Sequence, residues 1–194
     1  MVRVLAVAAL ALGSLWLPAT AAEVGKPSPE FAIRYNDGSQ KLVSSFRGKV
    51  VCLLFVHTTC PHCQHASQVF SQLNTEYGAK GFQPLAVAWN DMASMLVPDF
   101  IKEFHINFPV GFAPREEVLT YLGFSVMDRT VVPQIAWIDR KGIVRSQTPA
   151  LGDETKLKEP YWREMIETLI KEPGPAASHK SAPHHTTAKP ATQG

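Results

Sequence analysis

The chain has 194 residues, of which 45% are hydrophobic and 19% are charged, so it can form one well-packed core but not two ordinary domains. Its 19 basic and 17 acidic side chains leave a net charge of +2, which argues against a nucleic-acid partner or a strongly charged binding surface. Three cysteines permit at most one intramolecular disulfide, which excludes a scaffold held together by many disulfides.

Residues 1–22 have the pattern of a secretory signal peptide. Arg3 precedes an uncharged apolar run at 4–18, and small residues follow it, in the usual order of basic start, apolar core and cleavage site. The apolar run is shorter than the roughly 18–20 residues of a membrane span, so we expect cleavage after Ala21 or Ala22. The mature protein is then periplasmic or otherwise extracytoplasmic, without stable membrane insertion.

The mature chain begins with a predicted β-hairpin and a buried strand. Short alternating runs at 31–35 and 40–43 flank Asp37-Gly38, and Asp-Gly between such runs is a common hairpin turn. The run 50–56 has no polar side chain, which predicts a strand buried on both faces of a sheet. A helix should follow Cys60, because apolar residues recur at helical spacing at positions 66, 69, 70, 73 and 77.

The alternation of strands and helices continues to about residue 172. It predicts strands at 85–89 and 108–112, a hairpin of 135–138 with 143–144, and helices around Phe100, after Pro114 and from Pro160. This order indicates an α/β domain over residues 23–172, with a mixed central sheet flanked by helices and an N-terminal β-hairpin extension.

The last segment, residues 173–194, is a predicted disordered tail. It is dominated by Pro, Ala, Ser, Thr and Gly and has no apolar periodicity, so it cannot offset the entropy of ordering. Its histidines His179, His184 and His185 are expected to be solvated.

The chemistry is predicted at Cys60-Pro61-His62-Cys63. Two cysteines separated by two residues at the start of a helix are close enough for a redox-active disulfide. The helix N-terminus would favour a Cys60 thiolate, and His62 can add a positive charge or a hydrogen bond beside it. Cys63 is then placed to attack a mixed disulfide formed at Cys60.

A metal site is the main alternative interpretation of these residues. His57, Cys60, Cys63 and His65 are all possible ligands, but a structural zinc site usually joins two ligand pairs from separate segments, and no second pair occurs here. A c-type haem would need a histidine directly after Cys63, where Gln64 stands. We therefore expect no metal and no bound organic cofactor.

Residues 24–171 resemble the thioredoxin-like thiol–disulfide oxidoreductases of the TlpA/ResA type, which belong to the AhpC/TSA-redoxin group. The resemblance covers most of the predicted domain and depends on motifs in a fixed order: Pro27-Ser28-Pro29-Glu30-Phe31, Asp37-Gly38, Phe46-Arg47-Gly48-Lys49, the strand leading to the CxxC, Pro133, Ile138-Asp139 and Gly142.

This resemblance implies a thioredoxin-like fold and disulfide exchange with protein partners. It further implies that Pro133 follows a cis peptide bond beside the CxxC, and that Val132 and Pro133 present backbone with which a substrate pairs. Protein thiols or disulfides are the expected substrates, and an upstream redox partner is implied. The oligomeric state is left open.

Three features depart from that family pattern. Relatives often carry an acidic or amide residue six positions before the first cysteine, where this chain has Leu54, and ResA-type members carry a Glu where this chain has Ala66. The Pro61-His62 dipeptide and Val132 resemble the oxidase DsbA instead. The direction of electron flow is therefore open, and we hypothesise that His57 or His65 handles the proton that Leu54 cannot.

Two other functions remain as alternatives. A peroxiredoxin-like peroxidase typically has Pro-x-x-x-Thr-x-x-Cys, but Leu53 and His57 occupy the Pro and Thr positions before Cys60. A metal or cytochrome-maturation chaperone would use the CxxC as a ligand pair. Cys52 lies inside the apolar run and is expected to be a buried, non-reactive thiol.

Overall fold

A computed structural model describes residues 21–174 of the chain, and the predicted signal peptide and tail lie almost wholly outside this range. The secondary structure consists of strands β1 Ala32–Arg34, β2 Gln40–Leu42, β3 Val50–Val56, β4 Phe82–Ala88, β5 Val110–Phe112, β6 Gln134–Ile138 and β7 Val144–Gln147, and of helices α1 Pro61–Tyr77, α2 Ala93–Glu103, α3 Arg115–Leu122 and α4 Glu159–Lys171.

The strands form one mixed sheet of seven, in the order β2-β1-β5-β4-β3-β6-β7. The central strands β3, β4 and β5 are parallel, whereas β1, β2, β6 and β7 pair antiparallel with their neighbours. All seven residues of β3 are buried, as expected for a central strand covered on both faces. The predicted α/β fold with a mixed sheet is confirmed.

Helices cover both faces of the sheet and create two apolar cores. Residues of α1, α2 and α4 pack on one face with Cys52, Leu54 and Val56 of β3. Residues of α3 pack on the other face with Val51, Leu53 and Phe55. Because side chains alternate along a strand, the face that each β3 residue occupies follows from its position.

The predicted N-terminal hairpin lies at the sheet edge, next to the shortest central strand. Arg34 of β1 pairs with Phe112 of β5, and the hairpin turn approaches α2. Pro98 lies inside α2 and has no N–H for the carbonyl of Ser94, and the side-chain amide of Asn36 donates to that carbonyl instead. The hairpin is thus attached to both the sheet and a helix.

Gly111 is what allows β1 to lie against β5. A Cβ atom at this position would be 2.4 Å from the carbonyl oxygen of Arg34 and 2.5 Å from Cγ2 of Ile33. We expect Gly111→Ala to lower the free energy of unfolding by about 1–3 kcal/mol, the usual cost of overpacking. Urea denaturation measures the change.

The matched control for this prediction is Gly78→Ala. Gly78 has helical angles (φ −58°, ψ −45°), and an added Cβ there would meet only the end of the Asn74 side chain. Its stability should stay near that of the wild type, and an equal loss in both variants would contradict the proposed role of Gly111.

Ala22, the second of the described residues, is buried, with 7% of its surface exposed, and donates its N–H to the carbonyl of Tyr121 over 2.7 Å. A hydrogen bond to a distant helix cannot be inferred from the local sequence pattern.

No helix within residues 21–174 has the length and apolar character that crossing a membrane requires.

Candidate active site

The CxxC motif lies where β3 ends and α1 begins. Cys60 is the N-cap residue with extended backbone angles, and Pro61 occupies the first turn of α1, where its lack of an N–H costs nothing. The carbonyl of Cys60 accepts the first helical hydrogen bond from Gln64 over 3.0 Å. A negative charge on the Cys60 sulfur would therefore lie at the positive end of the helix dipole.

The turn before Cys60 is held by side-chain hydrogen bonds that the sequence analysis missed. Asn90, just after β4, accepts from the N–H of Thr58 at 2.9 Å, and the side-chain amide of Gln64 donates to the Thr58 carbonyl at 3.0 Å. The N–H of Cys60 donates to the carbonyl of His57 at 3.1 Å. These bonds fix the approach of the chain to the reactive sulfur.

The two cysteines have different environments. Cys60 is partly exposed, whereas Cys63 is 0% exposed, and both are free thiols in the structure. Burial raises the pKa of the Cys63 thiol well above its ordinary value, and the N–H of His57, 3.4 Å from its sulfur, offsets only part of this effect. Cys60 is thus the solvent-accessible sulfur of the pair, and Cys63 is the buried one.

The third cysteine has no access to solvent. Cys52 is fully buried in β3, and burial raises the pKa of its thiol well above its ordinary value. A protonated, enclosed thiol is neither a nucleophile nor a ligand. The sequence expectation of a buried Cys52 is confirmed.

Val132 and Pro133 lie beside the CxxC, and the peptide bond between them is cis. The Cys60 sulfur is 4.0 Å from the Val132 carbonyl oxygen. The loop that carries them also forms one wall of a groove of about 300 Å³. We call this the cis-proline groove; its lining includes His62, His65, Val132, Pro133, Leu157 and Trp162.

The structure separates the two candidate proton-handling histidines. His62 and His65 are exposed on the first turns of α1 and line the cis-proline groove. His57 is the next residue after β3, and its ring packs 4.7 Å from that of Trp89, on the sheet face opposite Cys63. Only the main chain of His57 reaches Cys63, so the geometry favours His65 over His57 for a role at the groove.

The His57 ring should make the stability of the fold pH-dependent. Burial lowers its pKa, the positive charge of Arg115 adds to this, and Asp91 opposes it. The folded state therefore resists the proton that the unfolded chain takes up near its ordinary pKa of about 6.5, and stability falls as the pH drops below that value. We expect the melting temperature of His57→Gln to change less than that of the wild type between pH 7.5 and 5.5.

The wild type, measured in parallel at the same pH values, is the reference for this pH experiment. An unchanged slope in His57→Gln would contradict the burial effect assigned to His57.

Within residues 21–174, no three His, Cys, Asp or Glu side chains are grouped so that they could share a metal ion.

Sequence reasoning also missed Gln134, the first residue of β6. Its side chain is 0% exposed, and its amide donates to the carbonyl of Val131, just before the cis peptide bond, and to the carbonyl of Pro149, in the segment after β7. The available signal was its position, since it is the one amide in an otherwise apolar strand directly after Pro133.

A mixed sheet, with a dithiol at the start of a helix and a cis-proline loop beside it, defines the class of thioredoxin-like oxidoreductases. The family model described as Redoxin matches residues 23–159, and the chain belongs to this family. Its relatives place it among the thioredoxin-like oxidoreductases of the TlpA/ResA type.

The chain is similar to curated proteins named thiol-disulfide oxidoreductase ResA. That of Bacillus thuringiensis subsp. konkukian is 27% identical over 149 residues, which cover 77% of this chain and 78% of the relative. That of Geobacillus thermodenitrificans is 28% identical over 126 residues, covering 65% and 69%. A solved Chlorobium tepidum structure, provisionally named thiol:disulfide interchange protein DsbE, has 25% identity and a TM-score of 0.63, with 77% and 99% coverage.

Proposed function

We propose that the protein is an exported thiol–disulfide oxidoreductase that exchanges disulfides with protein substrates through Cys60 and Cys63. The observation that carries the proposal is the asymmetry of the pair. Cys60 is partly exposed at the N-terminus of α1, 4.0 Å from the Val132 carbonyl, while Cys63 is buried one turn further along the same helix.

The reaction begins with attack of the Cys60 thiolate on a substrate disulfide. One substrate sulfur leaves as a thiolate and takes up a proton, and the other is held in a mixed disulfide with Cys60. Cys63 then loses its proton and attacks the Cys60 sulfur, which releases the second substrate thiol. The substrate gains two electrons and two protons, and the protein keeps a Cys60–Cys63 disulfide. The same steps in reverse order oxidise a substrate dithiol.

The surroundings of Cys60 support a polypeptide rather than a small molecule as substrate. Met92 and Met95, which are 65% and 72% exposed, follow shortly after Asn90, the residue that holds the turn before Cys60. Leu151, which is 70% exposed, directly follows Ala150, whose carbonyl accepts from the N–H of Val131. Exposed apolar side chains next to the residues that bond to the active-site turn and to the cis-proline loop suit an extended chain, and methionine adapts to varied partners.

Disulfide exchange with a peptide tests this function. Reduced protein is mixed with a short peptide closed by one disulfide, and in a parallel reaction protein with an oxidised CxxC is mixed with the same peptide in its dithiol form. Each reaction is quenched with acid, free thiols are alkylated, and the masses of protein and peptide are measured. We expect the disulfide to pass between the peptide and the Cys60–Cys63 pair in the direction that the reduction potential of the CxxC sets. A peptide that keeps its starting state in both reactions would contradict the proposed activity.

Export through a cleaved signal peptide is part of the same proposal. The pattern of residues 1–22 supports it, and an upstream redox partner would restore the spent CxxC after each exchange. Sequencing the N-terminus of the protein from an extracytoplasmic fraction should find Ala22 or Glu23 as the first residue. A chain that retains Met1 and stays in the cytosol would contradict this part of the proposal.

A peroxidase function has no comparable support. Leu53, at the position of the peroxidase proline, is a fully buried residue of β3, and the ring of His57 packs on Trp89 instead of facing Cys60. Neither side chain can hold a peroxide beside the Cys60 sulfur. We therefore propose disulfide exchange as the single activity of this site.

A further inference from the structure

One buried side chain, that of Gln134, ties the loop that contacts Cys60 to the segment after β7. The amide nitrogen of Gln134 lies 2.9 Å from the carbonyl oxygen of Val131 and 3.2 Å from those of Pro149 and Ala150. The N–H of Val131 also donates to Ala150 over 2.9 Å. Gln134 thereby joins the cis-proline loop to the segment after β7.

The other end of the Gln134 side chain is also satisfied. Its carbonyl oxygen accepts from the hydroxyl of Thr148, and that hydroxyl in turn accepts from the N–H of Ile135 over 2.9 Å. Gln134 is 0% exposed and Thr148 is 2% exposed, so this hydrogen-bond network is closed off from water. Because hydrogen bonds in a low-dielectric interior define a geometry sharply, such a network holds its backbone partners in one arrangement.

A buried amide side chain at the start of β6 calls for an explanation. An apolar side chain could be buried there without the free-energy cost of removing polar atoms from water. The other residues of β6 are Ile135, Ala136, Trp137 and Ile138, all apolar and all buried. Burying an amide is unfavourable unless every polar atom is paired. Gln134 meets that condition only by bonding the main chain at 131 and at 149–150, which indicates that holding this backbone is its role.

We propose that Gln134 is a positioning residue for polypeptide substrates. It fixes the main chain of Val131–Pro133, so that the backbone of a substrate can pair at Val132 while the substrate sulfur meets Cys60. This inference rests on the proposed function and adds a determinant of substrate class to it. Gln134 does not touch the reacting sulfurs, so it acts on polypeptides and leaves the sulfur chemistry unchanged.

This role predicts a difference between two kinds of disulfide. A peptide disulfide has a backbone that can pair with the loop, whereas bis(2-hydroxyethyl) disulfide has none. In Gln134→Met, which keeps the length and apolar volume but leaves carbonyls of the loop unpaired, we expect kcat/KM for the peptide to fall about tenfold, mainly through KM. The rate with bis(2-hydroxyethyl) disulfide and the reduction potential of the CxxC should equal those of the wild type.

Two further variants make the experiment robust. Thr148→Val removes the hydroxyl that fixes the Gln134 oxygen and should give a smaller loss of the same kind, which keeps the inference testable if Gln134→Met does not fold. Gln147→Met is the matched control, because Gln147 also donates to a main-chain carbonyl, that of Leu122, but away from the cis-proline loop. It should leave both rates unchanged.

The outcomes separate the inference from the proposed function. A selective loss with the peptide in Gln134→Met and Thr148→Val supports positioning. Equal losses with both disulfides, or no loss in either variant, would overturn the positioning role while the wild-type activity stands. A wild-type protein that exchanges neither disulfide would overturn the proposed function itself, and the inference with it.

Discussion

Cys60→Ser is expected to abolish disulfide exchange, whereas Cys63→Ser is expected to hold the substrate as a mixed disulfide. Serine cannot attack a disulfide, because the reaction needs a thiolate. With Cys60 intact and Cys63 replaced, the first exchange still occurs, but the sulfur that would release the substrate is missing. The two variants should therefore fail at different steps of one reaction.

Non-reducing gel electrophoresis and intact mass measurement distinguish these steps. Incubation of Cys63→Ser with a disulfide-containing peptide should add the mass of one peptide strand, and reductant should remove it. Cys52→Ser is the control, because Cys52 is fully buried in β3, and this variant should exchange disulfides like the wild type. A mixed disulfide on Cys63 in the Cys60→Ser variant would contradict the assignment of Cys60 as the attacking sulfur.

Trp162→Ala is expected to produce the largest loss of stability of the substitutions considered. Trp162 is 3% exposed on α4, its ring stacks on that of Phe70 of α1 at 4.6 Å, and its indole N–H donates to the carbonyl of Lys156 at 2.8 Å. Truncating a buried tryptophan typically costs about 3–5 kcal/mol. Since natural domains are stable by only about 5–15 kcal/mol, chemical denaturation should show a large shift of the midpoint.

Two further variants serve as comparisons for the stability of Trp162→Ala. One changes the same residue, and the other changes a neighbouring residue of α4. Trp162→Phe keeps most of the stacking on Phe70 but loses the bond to Lys156, so it should lose less stability than Trp162→Ala. Met165→Ala, at a partly buried position of α4, should cost less than Trp162→Ala. A loss in Met165→Ala as large as that in Trp162→Ala would contradict the view that the Phe70–Trp162 stack joins α4 to α1.

The sequence carries clear information about the elements nearest the reactive sulfurs. The apolar run at 50–56 and the helical spacing after Cys60 predict β3 and α1, and these two elements alone place the CxxC at a helix N-terminus. The Asp37-Gly38 turn likewise predicts the edge hairpin. Each of these features depends on residues close together in the chain, which is why local patterns suffice.

Features that depend on distant segments could not be predicted in this way. The Gln134 network joins carbonyls that are 3 and 15–16 residues away, and the Phe70–Trp162 stack joins two helices that are far apart in the sequence. The position of the His57 ring could be predicted only in part from the sequence. Strand alternation continued past Val56 assigns it to the face opposite Cys63, yet only the structure supplies Trp89 as its partner.

The reduction potential of the CxxC decides the direction in which the protein works. A value near the roughly −270 mV of thioredoxin would assign it to the reduction of partner disulfides, and one near the roughly −120 mV of DsbA would assign it to their formation. The buried Leu54 and the Pro61-His62 dipeptide are the residues whose substitution should then shift this potential.

Equilibration of the protein in glutathione buffers of graded ratio, followed by acid quenching and peptide mapping, tests disulfide exchange by Cys60 and Cys63 most directly. We predict a single reversible transition in which two electrons are exchanged and only the Cys60–Cys63 disulfide appears, with Cys52 remaining a thiol throughout. A protein whose three cysteines all stay reduced at every ratio, or whose disulfide involves Cys52, would contradict this assignment.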